Sequence, residues 1–556
     1  MDMECTVRQV LGIGCVLAAM MGCRAEQRSA AEQASTTDGT AQAAVQQPAE
    51  VELATEPSTP ADVPASTENV AAAPENPPHE NESRQATPGS SELEAAALFE
   101  GWEKPLVAIS ITGRQHGYIE PCGCTGLQNQ KGGLARRQTF LRQLRDERGW
   151  SVIPVDLGDQ VRRFGKQAEI KFQRTAEALK SMGYKAVTLG PDDLRISAGD
   201  LIAVASSLGE QKSPFISANV AVYDPSFMDA YRVIEAGGLK IGITAVMGDT
   251  ARQSITSDEI IHKPAREALA TVLPKLEDEN CDLLILLAHT TVEEASALAT
   301  EFKKLDLVCV SGVADEPVFR LEQVPSTKTQ LVQPGGKGMF CGVVGVFANE
   351  QQRFRYQRVP LDSRFEDSPE MLQLLRFYQS ILKKEGLAQL GLKPIPHPTE
   401  REFVGSEKCG DCHTQAFDVW TESPHYHATE SLVNPPNSRG DIPRHYDPEC
   451  LSCHVTGWNP QQFFPYRTGF LSLEETPEMF GNGCENCHGP GASHVAAEED
   501  GAPEAELKLR RQEMVLPLSK AEQRCLECHD IDNDPHFHHE GAFEEYWEQI
   551  EHYGKD

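Results

Sequence analysis

Cys409-Gly-Asp-Cys412-His413, Cys450-Leu-Ser-Cys453-His454, Cys484-Glu-Asn-Cys487-His488 and Cys525-Leu-Glu-Cys528-His529 repeat one pattern four times between residues 409 and 529. C-x-x-C-H is the attachment signature of c-type haem. Its two thiols form thioethers to the porphyrin vinyls, and the His that follows becomes the proximal iron ligand. The eight cysteines are therefore candidate attachment points for four covalent haem c groups. His413, His454, His488 and His529 are the candidate proximal ligands. Cysteine pairs also build zinc sites and disulfide frameworks. Neither needs a His directly after the second Cys, and all four copies have one. Four haems this close in sequence predict a short electron wire.

The chain around these motifs has 556 residues, enough for two or three domains. It carries 83 acidic and 51 basic residues, a formal net charge of −32. Phosphate binding needs a basic face, so nucleic acid is excluded as a partner. A redox partner protein of basic character, or plain solubility, accounts for the acidity.

Residues 1–22 read as a secretory signal, with Arg8 followed by an apolar stretch from Val10 to Met21 that is too short to span a bilayer. Ala19-Met20-Met21-Gly22-Cys23 resembles the bacterial lipobox. Two readings of Cys23 stand: a lipidated mature N-terminus, or a free thiol after ordinary cleavage. Export fits haem attachment, which in bacteria occurs outside the cytoplasm. The expected location is the cell envelope, as a periplasmic or cell-surface lipoprotein held to the membrane through its N-terminal lipid. Residues 23–100 are rich in Ala, Glu, Pro, Thr, Ser and Gln. Such a segment cannot bury enough apolar surface to fold and reads as a disordered tether, spanning on the order of 50 Å as a coil.

Residues 105–360 alternate short apolar runs with amphipathic helical patterns. Expected strands are Leu106–Thr112, Val152–Asp156, Ala186–Leu189, Ile241–Val246, Leu283–Ala288 and Leu307–Ser311. Expected helices include Glu169–Met182 and Ala265–Glu279. This alternation predicts a layered α/β domain. Several strands lead to residues able to ligate metal: His116 after the first, Gly158-Asp159 after the second, and His289 after Leu283–Ala288. Glu120-Pro121-Cys122-Gly123-Cys124 adds a C-x-C pair open to three readings: a soft-metal site, disulfides with distant cysteines, or unmodified thiols. Cys281, Cys309 and Cys341 lie in or beside apolar runs and are expected to be buried packing residues. A helix with an apolar face covers residues 366–392, ends near Gly386, and bridges the domains within 361–400.

The order and spacing of these middle motifs, with Ser217-Ala218-Asn219-Val220, resemble the calcineurin-like metallophosphoesterases, specifically the secreted 5′-nucleotidase family. The resemblance implies a two-metal active site, but several motifs depart from the family pattern. Asp-x-His is Arg114-Gln115-His116, Gly-Asn-His-Glu is Gly190-Pro191-Asp192-Asp193, and Gly-His-x-His is Gly312-Val313-Ala314-Asp315. His116, Asp159 and His289 remain as ligands for at most one divalent metal. Arg114 places a fixed charge where a ligand belongs. Two-metal hydrolysis needs both cations, so a catalytically degenerate domain for docking or ligand binding is expected.

Residues 401–556 resemble the tetrahaem cytochrome c554 family in several stretches, among them Phe403-Val404-Gly405-Ser406-Glu407-Lys408, Trp420 through Ala428, and Gly483 through His494. The region holds 12 of the 17 histidines. The resemblance implies distal iron ligands at His427 (or His425), His494 and His552, and one open haem, the second, at His454. His445, or one of His536, His538 and His539, is the alternative occupant of that position. The expected architecture is multidomain: an α/β layered sandwich of metallophosphoesterase type, then a mainly α, loop-rich tetrahaem cytochrome domain at 401–556. The first expected function is electron transfer. An oxidoreductase acting on a small nitrogen or oxygen compound at the open haem is the second, and an active phosphoesterase the third.

Overall fold

Val107–Thr112 and Leu283–His289 are largely apolar and buried along their whole length, the signature of strands covered on both faces. The computed structural model describes residues 98–121, 130–207, 213–312, 314–436 and 440–553. The expected signal segment, Cys23, nearly all of the expected tether and the Cys122/Cys124 pair lie outside the described residues.

In chain order the strands of the middle region are β1 (Val107–Thr112), β2 (Val152–Asp156), β3 (Ala186–Val187), β4 (Val220–Val222), β5 (Tyr231–Ala236), β6 (Leu239–Met247), β7 (Ile260–His262), β8 (Leu283–His289), β9 (Leu307–Val310), β10 (Glu322–Gln323), β11 (Gln330–Val332), β12 (Phe340–Val346) and β13 (Phe354–Pro360). One sheet has the order β13-β12-β1-β2-β3 and a second the order β10-β11-β9-β8-β6-β5. Their inner faces share one core, in which Ile109, Ile111 and Val155 meet Ile243, Ile285 and Leu307. Helices Leu134–Arg142 and Lys166–Ser181 cover the outer face of the first sheet. Helices Ala265–Asp278 and Val292–Glu301 cover that of the second. The result is a four-layer α/β/β/α sandwich. All six expected strands are present to within three residues at each end.

Two long strands escape the sequence reading. β12 and β13 pair antiparallel, and β12 pairs antiparallel with β1. The helix expected over 366–392 runs Pro369–Gln389 and is interrupted at Gly386, whose φ of 66° and ψ of 168° break the turn. Met371, Leu375, Tyr378 and Leu382 bury its apolar face in the core of the first sheet's helices, so it belongs to the sandwich and is more than a bridge. Cys309 and Cys341 are buried as expected, whereas Cys281 is only partly so.

The region after Pro394 is built from short helices and loops. Among the described residues its apolar cluster is small: Phe403, Leu432, Leu451, Val455, Trp458, Tyr466, Phe470 and Met479. No helix among the described residues is long and apolar enough to cross a membrane.

Candidate haem and metal sites

Each C-x-x-C-H motif sits in or at the end of a short helical turn. Pro448–His454 and Cys484–His488 are helices. At the other two, the His413 and His529 amides donate to the Cys409 and Cys525 carbonyls at 3.0 and 2.8 Å. Residues three apart on a helical turn share a face, so the spacing presents both thiols of a motif to one side.

Three of the proximal rings have Nδ1 held: His454 on the Ala428 carbonyl, His488 on the Met514 carbonyl, and His529 on Asp534, each at 2.7 Å. Asp534 is buried and also accepts from the Tyr546 hydroxyl at 2.9 Å. An imidazole donating Nδ1–H to such an acceptor keeps Nε2 as the lone pair for a metal.

Three further rings lie opposite proximal ones. Ring centres are 6.3 Å apart for His413 and His494, 5.7 Å for His488 and His552, and 6.2 Å for His529 and His425. Two imidazoles on opposite sides of one iron have centres about 6 Å apart, from metal–nitrogen bonds of about 2 Å and about 1 Å from nitrogen to ring centre. The donor set therefore fits bis-His iron for the first, third and fourth motifs. His425, rather than His427, faces His529. His427 is exposed, starts the helix Ala428–Val433, and lies edge-on to the Tyr426 ring. His445 lies tilted against the Tyr446 ring with centres 3.9 Å apart. His536, His538 and His539 lie on the exposed surface, where His538 Nε2 meets the His529 carbonyl at 3.0 Å. Thiols of different motifs also meet: Cys409 with Cys484, and Cys453 with Cys528, each pair within hydrogen-bonding reach.

In the middle region the loops after β1 and β2 run side by side. The Arg114, His116 and Gly117 amides donate to the Gly158, Asp159 and Gln160 carbonyls at 2.7, 2.9 and 2.7 Å. Arg114, His116 and Asp159 all adopt left-handed backbone, with φ of 49°, 54° and 53°. Such conformations persist only where the surroundings enforce them. Gly190 cannot be larger: a Cβ there would fall 1.9 Å from Asp159 Oδ1.

Ligand atoms of His116, Asp159 and Asp192 all lie within 4.8 Å of one another, the spacing of a metal-binding trio. His116 Nδ1 is buried without a hydrogen-bond partner among the described residues. Burial, the largest influence, holds the His116 pKa down at about 4, so the ring is neutral and able to ligate. His289 stands behind the trio. Its Nδ1 is bonded to the Leu157 carbonyl at 2.7 Å and its Nε2 lies 3.2 Å from Asp159 Oδ2. Burial disfavours charge on His289, but Asp159 outweighs it and raises its pKa. The expected set of His116, Asp159 and His289 is thus rearranged: Asp192 joins the trio, and His289 engages it through Asp159. The sequence reading counted Asp192 only as the loss of a family residue.

Arg114 donates to the Ala314 carbonyl at 2.9 Å and to Asp315 at 3.0 Å. Lys337 bonds the other Asp315 oxygen at 2.9 Å and also reaches Asp532, three residues beyond the fourth motif. Tyr118 donates to the same Asp532 at 3.3 Å. The C-terminal region is tied to the middle one at two further places. Arg444 clasps Glu120 through two bonds. Lys171 bonds Glu449 at 2.7 Å, while Gln167 and Tyr378 bond Asp447 at 2.8 and 3.0 Å. Asp447 and Glu449 immediately precede the second motif.

Comparison with known proteins divides the chain in the same way. Residues 408–489 match the family model of cytochrome c554 and c-prime. Cytochrome c-554 of Nitrosomonas europaea is 31% identical over 147 residues, covering 23% of this chain and 57% of that protein. An apyrase of Aedes albopictus is 20% identical over 332 residues, covering 54% of this chain and 58% of that protein. The chain thus spans less than two thirds of either relative. Among solved structures, a 5′-nucleotidase precursor from Thermus thermophilus aligns with 59% of this chain and 66% of its own at 16% identity and a TM-score of 0.43. A Staphylococcus aureus protein described as a 5′-nucleotidase aligns with 67% and 81% at 15% identity and a TM-score of 0.41. The cytochrome c554 and c-prime match is thus confined to residues 408–489, within the region that carries the C-x-x-C-H motifs.

Proposed function

We propose that the chain is an exported, lipid-anchored electron-transfer protein that binds four haem c groups in its C-terminal region. Bound haem supplies a one-electron couple at each iron. The observation that carries this reading is the set of three facing His–His pairs, whose spacing suits six-coordinate iron. Such iron changes oxidation state without changing ligands. Cys409 beside Cys484 and Cys453 beside Cys528 bring the first motif to the third and the second to the fourth. The protein's part is to hold each ring by its Nδ1 and to keep the attachment points adjacent.

The middle domain serves as a socket for the haem region and retains no two-metal chemistry. Arg114 and Lys337 put two cations, balanced by Asp315 and Asp532, around Asp315, where the phosphoesterase family has its Gly-His-x-His motif. His116, Asp159 and Asp192 suffice for one divalent ion, which could polarise a bound oxygen but could not clamp both attacking and leaving oxygens. Negligible phosphomonoesterase activity with added divalent metals is expected.

The test is haem quantification with electron paramagnetic resonance on the purified holoprotein. Four haems per chain, at least three of them low-spin, support the reading. Fewer than four haems, or mostly high-spin iron, sinks it. The cytochrome c554 resemblance favours one second reading, an open iron at His454 that reacts with a small nitrogen or oxygen compound. A single high-spin signal that disappears on adding nitric oxide would select it.

A further inference from the structure

A cleft lies on the seam between the middle and C-terminal regions. Its middle-domain wall carries His116, Arg162, Arg163 and Lys166, and its opposite wall carries Gln462 and Phe463. Lys171 and Glu449 close its floor as an ion pair. The lining includes Arg162, Arg163, Lys166 and Lys171 against the Glu449 carboxylate, with Glu169 paired to Lys166 from outside it, in a chain whose formal net charge is −32. Concentrating positive charge in a concave site against the overall field draws small anions into it.

Lys166 and Lys171 are paired, with Glu169 at 2.9 Å and Glu449 at 2.7 Å, whereas the two arginines are less well neutralised. Arg162 is exposed and makes no ion pair among the described residues, yet it is close enough to bias the ionisation of His116 and Asp192. Arg163 lies 3.1 Å over the Phe463 ring, which fixes its guanidinium at the seam. Its Nη1 is 3.6 Å from Glu449, an ion-pair distance but too long for a hydrogen bond, and the atom is buried with no acceptor. The helix Lys166–Ser181 begins at the cleft without a side-chain cap, so its first amides add partial positive charge there.

We propose that this cleft binds a small divalent oxyanion between the two regions, held by Arg162 and Arg163 from one side with the Gln462 amide on the other. Phosphate and sulfate share that chemistry, and a guanidinium fork matches either. The site also communicates with the second haem motif. Arg163 and Lys171 share Glu449, the residue before Cys450. An anion that engages Arg163 leaves the Glu449 carboxylate less compensated and adds negative charge beside that motif. This link rests on the haem reading above, whereas the anion site itself does not.

The experiment is isothermal titration of the full-length holoprotein with inorganic phosphate and, separately, sulfate, alongside a spectroelectrochemical titration with and without phosphate. Saturable binding at one site per chain is expected. Arg162→Gln and Gln462→Glu, both at exposed positions, should each weaken it at least tenfold. Arg266→Gln, a surface change away from the cleft, should leave it intact. One haem potential should fall when phosphate is bound. Absence of saturable binding, or binding indifferent to both cleft substitutions, overturns the site. Potentials unmoved by bound phosphate overturn its link to the second motif. Haem content measured on the same preparation reports separately on the haem assignment.

Discussion

His425 and His427 are two positions apart, and both lie in a stretch that resembles the cytochrome c554 family. Spacing alone does not separate them. What separates them is which ring the short helix Ala428–Val433 leaves exposed and which the chain brings to His529 from a hundred positions away. His425→Ala should therefore convert one low-spin haem to high-spin in the resonance spectrum, with four haems still attached. His427→Ala should leave the spectrum as it was; the opposite pattern would assign the ligand to His427. The middle site is similarly half legible. His116 and Asp159 follow apolar strands and stand out in the sequence. Asp192 stands out only once the Gly158–Gly190 contact is known, because a Cβ on Gly158 would meet the Gly190 nitrogen at 2.4 Å. That close approach carries Asp192 to Asp159, whose Oδ1 accepts from the Asp192 amide at 3.0 Å.

At the scale of elements, legibility follows burial. β1, β2, β8 and β9 are mostly apolar because helices or the opposite sheet cover both faces, and such runs announce themselves. β13 reads Phe-Arg-Tyr-Gln-Arg-Val-Pro, a half-exposed pattern at a sheet edge, and β12 contains two glycines. β13 pairs only with β12, and the β1 strand that anchors β12 in the sheet lies more than two hundred positions earlier. The helix Pro448–His454 shows how an element can depend on a second domain. Asp447 caps it by accepting from the Glu449 amide at 3.0 Å while bonding Tyr378 and Gln167 of the middle domain. Removing an N-cap costs about 0.5–2 kcal/mol, and leaving the buried Tyr378 hydroxyl without its acceptor adds about 1 kcal/mol or more. Asp447→Ala should lower the thermal midpoint of the holoprotein by several degrees. A midpoint equal to wild type would mean that the cap and its partners contribute nothing.

The whole molecule is fastened by charges whose titration sets its working range. Burial alone would lower the Lys337 pKa, but Asp532 and Asp315 outweigh it and raise it above the ordinary value of 10.5. Burial would raise the Asp315 pKa, but Lys337 and Arg114 hold it below 3.8. A raised lysine contributes stability that is fully present below its unfolded value and is lost as pH climbs through the folded one. A depressed carboxyl contributes stability present above its unfolded value and lost as pH falls through the folded one. The Asp315–Lys337 link therefore holds from about pH 4 to about pH 10. The unfolding midpoint of Lys337→Met should lie below wild type across that window and converge with it outside, as a denaturant series at several pH values would show. The haem region makes a second demand. Among the described residues its apolar cluster has eight members, too few to hold about 150 residues, so on the proposed reading haem macrocycles would supply much of the buried surface. Chain produced without haem attachment should keep the middle sandwich protease-resistant and lose the C-terminal region to digestion. A haem-free C-terminal region that resists protease would refute this. The clasp between Glu120 and Arg444 joins positions 324 apart, and the entropic toll of closing so long a loop delays it until both sides have formed. On the proposed haem reading the clasp reports on the state of both regions, and chain produced without haem attachment should leave Glu120 and Arg444 apart.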